Sequence, residues 1–258
     1  MQTVQPGVSC AGCPHRAAYV AVKEAFGRAR GTLYCGNIGC KAAGPMHPAA
    51  ATCPGGEEEL PGRYKTHAPT LEEKSYDICL HFATDADLMS ASNVPTADEL
   101  AHEGALALLI ILASERASMT KERLDEIAAR CLDLGAAEVI GLDPFDTLAC
   151  AEALDDLKHA KGVHAIVFTA PCAQLMADRA PAPVEIDRYA CVGCHRCAQI
   201  TGCPALSFAP PAYRVDPDTC RGCDLCAAYC RTHVIYSPRA RMSAEERADE
   251  RRAAILRP

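Results

Sequence analysis

Residues 105–112 read Ala-Leu-Ala-Leu-Leu-Ile-Ile-Leu, eight apolar positions without a polar break. A run of that length cannot span a membrane, and it predicts a β-strand buried on both faces, as in a parallel sheet packed between helices. Shorter apolar segments at 32–35, 76–82, 137–141 and 163–169 predict further strands. Between them the period becomes helical. Ala18, Ala21, Val22, Ala25 and Phe26 share one face of a helix that begins at Pro14, a residue suited to a first turn. Leu124, Ile127, Ala128, Cys131 and Leu134 do the same over 120–134, and Cys150, Ala153, Leu154 and Leu157 over 146–159. Residues 53–69, rich in proline, glycine and acidic side chains, predict a loop. Strand and helix in alternation define an α/β fold with an open parallel sheet.

Beyond residue 180 this periodicity stops and cysteine takes over. Eight of the 17 cysteines lie between 191 and 230: a C-x2-C-x2-C run at Cys191, Cys194 and Cys197, then Cys203, a second such run at Cys220, Cys223 and Cys226, and Cys230. That is the spacing of a bacterial-type ferredoxin, a small α+β domain with two [4Fe-4S] clusters. Three close thiolates hold one cluster there and the fourth ligand comes from the other half. Cys191, Cys194, Cys197 and Cys230 are therefore assigned to cluster one, and Cys203, Cys220, Cys223 and Cys226 to cluster two. Gly193 and Gly222 allow the positive φ and close backbone approach such loops need. Two zinc sites built from C-x2-C pairs would leave Cys197 and Cys226 without a purpose. A disulfide framework does not suit a chain of this length that opens without a signal segment, so a thiol-rich cytoplasmic protein is expected.

Composition then divides the chain. Of 258 residues, 49% hydrophobic, about 180 lie outside the cysteine-rich module, enough for one further globular domain and not two. The expected boundaries are 1–180 for the sheet domain, 184–238 for the two-cluster module and 239–258 for a charged helical tail, read as solvated, with docking to a partner as the alternative. A net charge of −7 and the lack of a basic stretch interleaved with aromatics argue against nucleic acid as a partner. No apolar run is long enough for a membrane span. Cys79, Cys131 and Cys150 fall on core positions and are expected to act as small buried hydrophobes.

Four more cysteines fall on loops. Cys10-Ala11-Gly12-Cys13 leads into Pro14-His15-Arg16, Cys40 closes Gly36-Asn37-Ile38-Gly39-Cys40, and Cys172 stands at the carboxyl end of the last strand, where open parallel sheets gather ligands. With Gly141-Leu142-Asp143-Pro144-Phe145-Asp146 and Ala170-Pro171-Cys172-Ala173, ahead of the two-cluster segment, these motifs resemble the carboxyl-terminal half of the large subunit of indolepyruvate:ferredoxin oxidoreductase. That family is one of the thiamine-diphosphate-dependent 2-oxoacid:ferredoxin oxidoreductases. The resemblance implies a sheet domain of thiamine-diphosphate-binding type and a proximal [4Fe-4S] cluster held by Cys10, Cys13, Cys40 and Cys172, which makes three clusters in all. Its implied partners are ferredoxin or another oxidoreductase subunit, in a hetero-oligomer or homodimer working under anaerobic conditions. Zinc also suits four cysteines, and Cys35 and Cys53 are close enough in sequence to substitute for Cys40 or Cys172.

The resemblance breaks at the coenzyme. Magnesium on a diphosphate needs oxygen ligands. The family's Asp-Asn pair aligns with Ala113 and Ser114, and its Gly-Asp-Ser-Thr loop survives only as Thr84-Asp85-Ala86-Asp87, which leaves Asp85 as the remnant of the diphosphate and magnesium loop. Three carboxylates at Glu57, Glu58 and Glu59 would repel a pyrophosphate. A pyrimidine-binding domain has no room. The expectation is an electron-transfer protein, or a subunit of a 2-oxoacid:ferredoxin oxidoreductase-like complex, with no catalytic residue of its own and without thiamine diphosphate or magnesium. The alternative is a catalytic subunit that uses thiamine diphosphate together with a partner chain. Among the module's charges, His195, Arg196 and Arg231 adjoin cluster one, while Arg221 and Asp224 at cluster two nearly cancel, so cluster one is predicted to have the higher potential. His15, His195 and His233 adjoin cluster segments and are expected as ordinary exposed histidines.

Overall fold

A computed structural model of the chain describes residues 10–27, 29, 32–36, 77–90, 94–100, 105–176 and 181–256. The predicted loop at 53–69 lies outside them, as do Cys40 and Cys53. The long apolar run forms strand β3 (Leu106–Ala113), with all eight residues buried. Strands β2 (Ile78–Thr84) and β5 (Gly162–Thr169) flank it, and β1 (Thr32–Gly36) and β4 (Val139–Leu142) form the edges. The five strands are parallel, in the order β1-β2-β3-β5-β4.

Period-two alternation sends the two faces of β3 to different helices. Leu106, Leu108, Ile110 and Leu112 pack with Leu80, Phe82, Ile166 and Phe168 against α1 (Pro14–Phe26) and α5 (Thr147–Leu157). Leu109, Ile111 and Ala113 pack with Ala83, Ala165 and Val167 against α2 (Asp85–Ser90) and α4 (Lys121–Asp133). Each fully buried leucine or isoleucine stabilises such a core by about 1.5–3 kcal/mol. Helix α3 (Ala97–Leu100) closes one end, Leu100 packing with Cys79, Ala107 and Val163. Local chemistry fixes the helix starts. Thr120 accepts from the Arg123 N–H, Asp146 accepts from the Ala149 N–H, and Thr84 and Asp87 cap α2 reciprocally. Cys79, Cys131 and Cys150 are buried, and burial pushes the Cys131 thiol up to about 11 and that of Cys150 up to about 12.

The cysteine-rich stretch is built differently. Strand β6 (Glu185–Ile186) pairs antiparallel with β9 (Ile235–Tyr236), and β7 (Leu206–Ala209) with β8 (Ala212–Val215). Two short helices, α6 (Arg196–Thr201) and α7 (Leu225–Ala228), follow the two cysteine loops. The halves repeat each other bond for bond. Asp187 N–H donates to Val234 C=O as Asp216 N–H donates to Ala205 C=O, both at 2.9 Å. Cys191 N–H returns to Asp187 C=O, and Cys220 N–H to Asp216 C=O. The loops then turn through the same left-handed positions, Gly193 (φ 63°) and His195 (φ 61°) in one, Gly222 (φ 56°) and Asp224 (φ 65°) in the other. A Cβ on Gly193 would stand 2.7 Å from the Pro211 carbonyl oxygen, and one on Gly222 2.4 Å from that of Ala182, so both loops require glycine.

Two expectations change. The charged tail is the helix α8 (Ala244–Leu256), yet Ala248, Arg251 and Ile255 are buried rather than solvated. Arg251 pairs with Asp143 and lies 4.8 Å over the Phe145 ring, and Ile255 packs with Met119 and Met176. Likewise α1 is buried from Pro14 through Val22, its polar residues included, because the start of the helix lies between the sheet and α6. His15 is consequently interior, its Nε2 2.7 Å from Ser114 Oγ. His195 is half-buried, with Nδ1 2.8 Å from the Tyr213 hydroxyl; His233 is the exposed one.

Candidate metal centres

Each quartet of the cysteine-rich module lines its own cavity. Cys191, Cys194, Cys197 and Cys230 line one, together with His195 and Tyr213. Cys203, Cys220, Cys223 and Cys226 line the other. The crossing of the fourth cysteine follows from the strand pairing: β9, after Cys230, returns to β6 ahead of the first loop, and β8, ahead of the second loop, lies beside β7 behind Cys203. Among the described residues no three His, Cys, Asp or Glu side chains are close enough to chelate a single metal ion.

The thiol environments differ by burial. Cys194 is the one exposed cysteine among those described. Burial, then the proximity of Cys203, pushes Cys223 up to about 12, and Cys226 is driven up by burial in the same way. Burial also raises Cys203, opposed by the Ala205 N–H and by the Arg16 guanidinium. Cys230 is lowered: burial works against this, but the Val234 N–H and the Thr232 hydroxyl outweigh it. Amide N–H groups thus point at the remote cysteine of both quartets.

The loops proposed for a proximal site also meet. Gln174 donates to Cys10 Sγ at 3.3 Å, Cys13 N–H donates to Cys10 C=O, and a Cβ on Gly12 would stand 3.8 Å from Ala173 and 2.7 Å from Cβ of Arg221. Cys172 N–H donates to Ser114 C=O at the end of β3. Cys10, Cys13 and Cys172 therefore belong to loops that come together, while Cys40 lies outside the described residues. The cavity of Cys203, Cys220, Cys223 and Cys226 is lined by Ala11, Gly12 and Cys13 as well, so this loop forms part of its wall.

The residues aligned with magnesium ligands are engaged otherwise. Asp85 is buried and accepts from the Ser118 hydroxyl, Ser114 faces His15, and Ala113 offers only a methyl group. Met119, next to Ser118 in the chain, packs with Met176 and Ile255. Among the described residues, the oxygens at these aligned positions, Asp85 and Ser114, thus have hydrogen-bond partners inside the protein. Sequence reading missed Arg16, Arg239 and Arg251, which hold these parts together across long separations. Arg16 donates to the carbonyls of Thr201 (2.8 Å), Gly202 and Cys10. Arg239 donates to Gly222 C=O and pairs with Asp224 at 2.9 Å.

A parallel α/β sheet joined to a duplicated module with two cysteine-lined cavities defines an α/β protein with cysteine-rich centres. No family model matches it. The chain is similar to curated proteins named indolepyruvate oxidoreductase subunit IorA. It is 24% identical to that of Thermococcus kodakarensis over 88% of this chain, 23% to that of Archaeoglobus fulgidus over 90%, and 24% to that of Pyrococcus horikoshii over 88%. It spans about 40% of the length of each of these relatives. The resemblance read from the motifs is thus matched by similarity along most of the chain.

Proposed function

We propose that this chain is an iron–sulfur electron-transfer subunit of a 2-oxoacid:ferredoxin oxidoreductase-like complex. One observation carries the reading: each of two cavities is lined by three cysteines of one loop and the remote cysteine of the other, the ligand exchange of a two-cluster ferredoxin. Bound there, [4Fe-4S] clusters would supply one-electron storage. The chain's own part is to ligate through eight thiolates, to exclude water by burying Cys197, Cys226 and Cys230, and to bring one site to the surface at Cys194. Cys10, Cys13, Cys40 and Cys172 are proposed to hold a third, proximal cluster. With Cys13 in the wall of the cluster-two cavity, electrons would pass from the proximal site to cluster two and leave through cluster one. Similarity to IorA proteins supports a place in a multi-subunit oxidoreductase, with another subunit or a ferredoxin as redox partner.

Metal and sulfide counts on anaerobically purified protein test this. About twelve irons per chain are expected for three clusters, and about eight for the module alone. Zinc in place of iron would overturn the reading. Thiamine diphosphate retained with magnesium would overturn the electron-transfer assignment in favour of a catalytic subunit.

A further inference from the structure

The two halves of the module repeat each other's backbone but not each other's surface. Residues 187–196 and 216–225 are equivalent, with Tyr189 in the place of Asp218, Val192 in that of Arg221, His195 in that of Asp224 and Arg196 in that of Leu225. The second loop is covered. Arg221 lies against Gly12, where an added Cβ would stand 2.7 Å from Cβ of the arginine, and Ala11, Gly12 and Cys13 line the cavity beside Cys220 and Cys223. The first loop presents the matching face to solvent. Val192 is 66% exposed, Tyr189 is fully exposed, and Cys194 is exposed two residues further on. Phe208 extends this apolar surface: it is exposed, lies 3.3 Å from a Cβ added at Gly193, and meets His195 edge-on with ring centres 4.6 Å apart.

Charge separates the two faces further. Residues 216–225 carry Asp216, Asp218 and Asp224 against Arg221 alone, and Asp224 is paired with Arg239. Residues 187–196 carry Arg188 and Arg196 against Asp187, whose carboxylate accepts from the Tyr189 and Ala190 N–H groups. Arg231, beside Cys230, and Arg214 on β8 are exposed as well. The carboxylates that stand against them are Glu185 on β6 and Glu24 of α1, which faces Arg196 at 3.8 Å. Guanidinium thus outnumbers carboxylate around the first loop, in a chain whose net charge is −7.

We infer that this face, with Val192, Cys194 and Phe208 at its centre and Arg188, Arg196 and Arg231 at its rim, is the docking surface for a small acidic electron-carrier protein. The carrier sits against the first loop as residues 11–13 sit against the second. This rests on the two-cluster reading above. Burial of the apolar centre supplies affinity, and the rim guanidiniums steer a carboxylate-bearing partner to it. The acidic remainder of the chain repels the same partner, which restricts it to this face. Once seated, the oxidised carrier takes one electron from the reduced cluster-one site; no bond forms or breaks and no proton moves.

Binding of a purified acidic bacterial ferredoxin to the full-length, iron-loaded protein tests it, with affinity read by calorimetry and association by stopped flow. The ferredoxin should bind more tightly than a cationic c-type cytochrome. Its addition should slow hydrogen exchange at 188–196 and 206–209, a footprint that needs no variant. Val192→Glu should weaken binding by at least about tenfold. The Arg188→Gln, Arg196→Gln, Arg231→Gln triple variant should slow association several-fold at low salt and little at high salt, while Arg123→Gln on α4 should change neither. No ferredoxin binding by the iron-loaded protein, a footprint elsewhere, tighter binding of the cytochrome, or undiminished binding by Val192→Glu with iron retained would overturn the inference alone. So would self-association of the chain through this face, abolished by Val192→Glu, in place of ferredoxin binding. A protein without iron would instead remove the reading on which it rests.

Discussion

The sheet region hides the whole of β3 and packs Leu80, Phe82, Leu108, Ile110 and Phe168 into one continuous core, with Cys150 its one thiol. In the cysteine-rich region the buried core consists of Val184, Tyr213, Val234, Ile235 and the three cysteines Cys197, Cys226 and Cys230. Its strands are two or four residues long, below what an isolated hairpin needs to persist in water. A hydrocarbon core specifies the first region with no help, whereas thiols directed at a cavity make a poor core unless something fills it. The comparison predicts different dependences on iron.

The sharpest way to break the comparison is to remove the metal. Structural metals supply on the order of 10 kcal/mol to small domains that depend on them. Chelated apo-protein should lose hydrogen-exchange protection over 184–238 and keep it over 105–176; equal protection in both would mean the module folds on side-chain packing alone. Next in size is Arg251→Ala, which strands Asp143 and frees α8. Loss of one partner of a buried pair costs about 3–5 kcal/mol, visible as a lowered Tm with iron content retained. Ile110→Ala should cost about 2–5 kcal/mol through the cavity it leaves. That loss should fall on the sheet region, with the EPR signals of the module intact in the folded fraction. Smallest is Arg123→Ala, at an exposed pair with Glu126, expected to change stability by less than about 1 kcal/mol.

Much of this was legible from local pattern. Eight apolar residues in a row could be satisfied only by a sheet covered on both sides, and the two C-x2-C-x2-C runs with their remote partners map onto two separate cavities. Helices α2 and α3 were not foreseen, although Thr84 with Asp87 and Thr96 with Glu99 carry the spacing of reciprocal caps. What the pattern could not disclose is tertiary. A charged helix reads as solvated until Asp143 and Phe145 are known to lie beneath Arg251. Arg16 looks like the polar side of an amphipathic helix until Thr201 and Gly202 are seen to cover it. That Asp85 is buried and accepts from the Ser118 hydroxyl could not be read from its motif either.

The exchange of Cys203 and Cys230 between the halves also bears on biogenesis. A nascent chain presents Cys191, Cys194 and Cys197 well before Cys230, the residue proposed to complete their set, has been made. On the two-cluster reading, neither half would mature independently of the other, and a protein truncated between the loops would carry three unmatched thiols open to oxidation or to capture of the wrong ion. On the same reading, insertion of iron and sulfide would therefore have to wait until Cys230, the last ligand of the module, has been made.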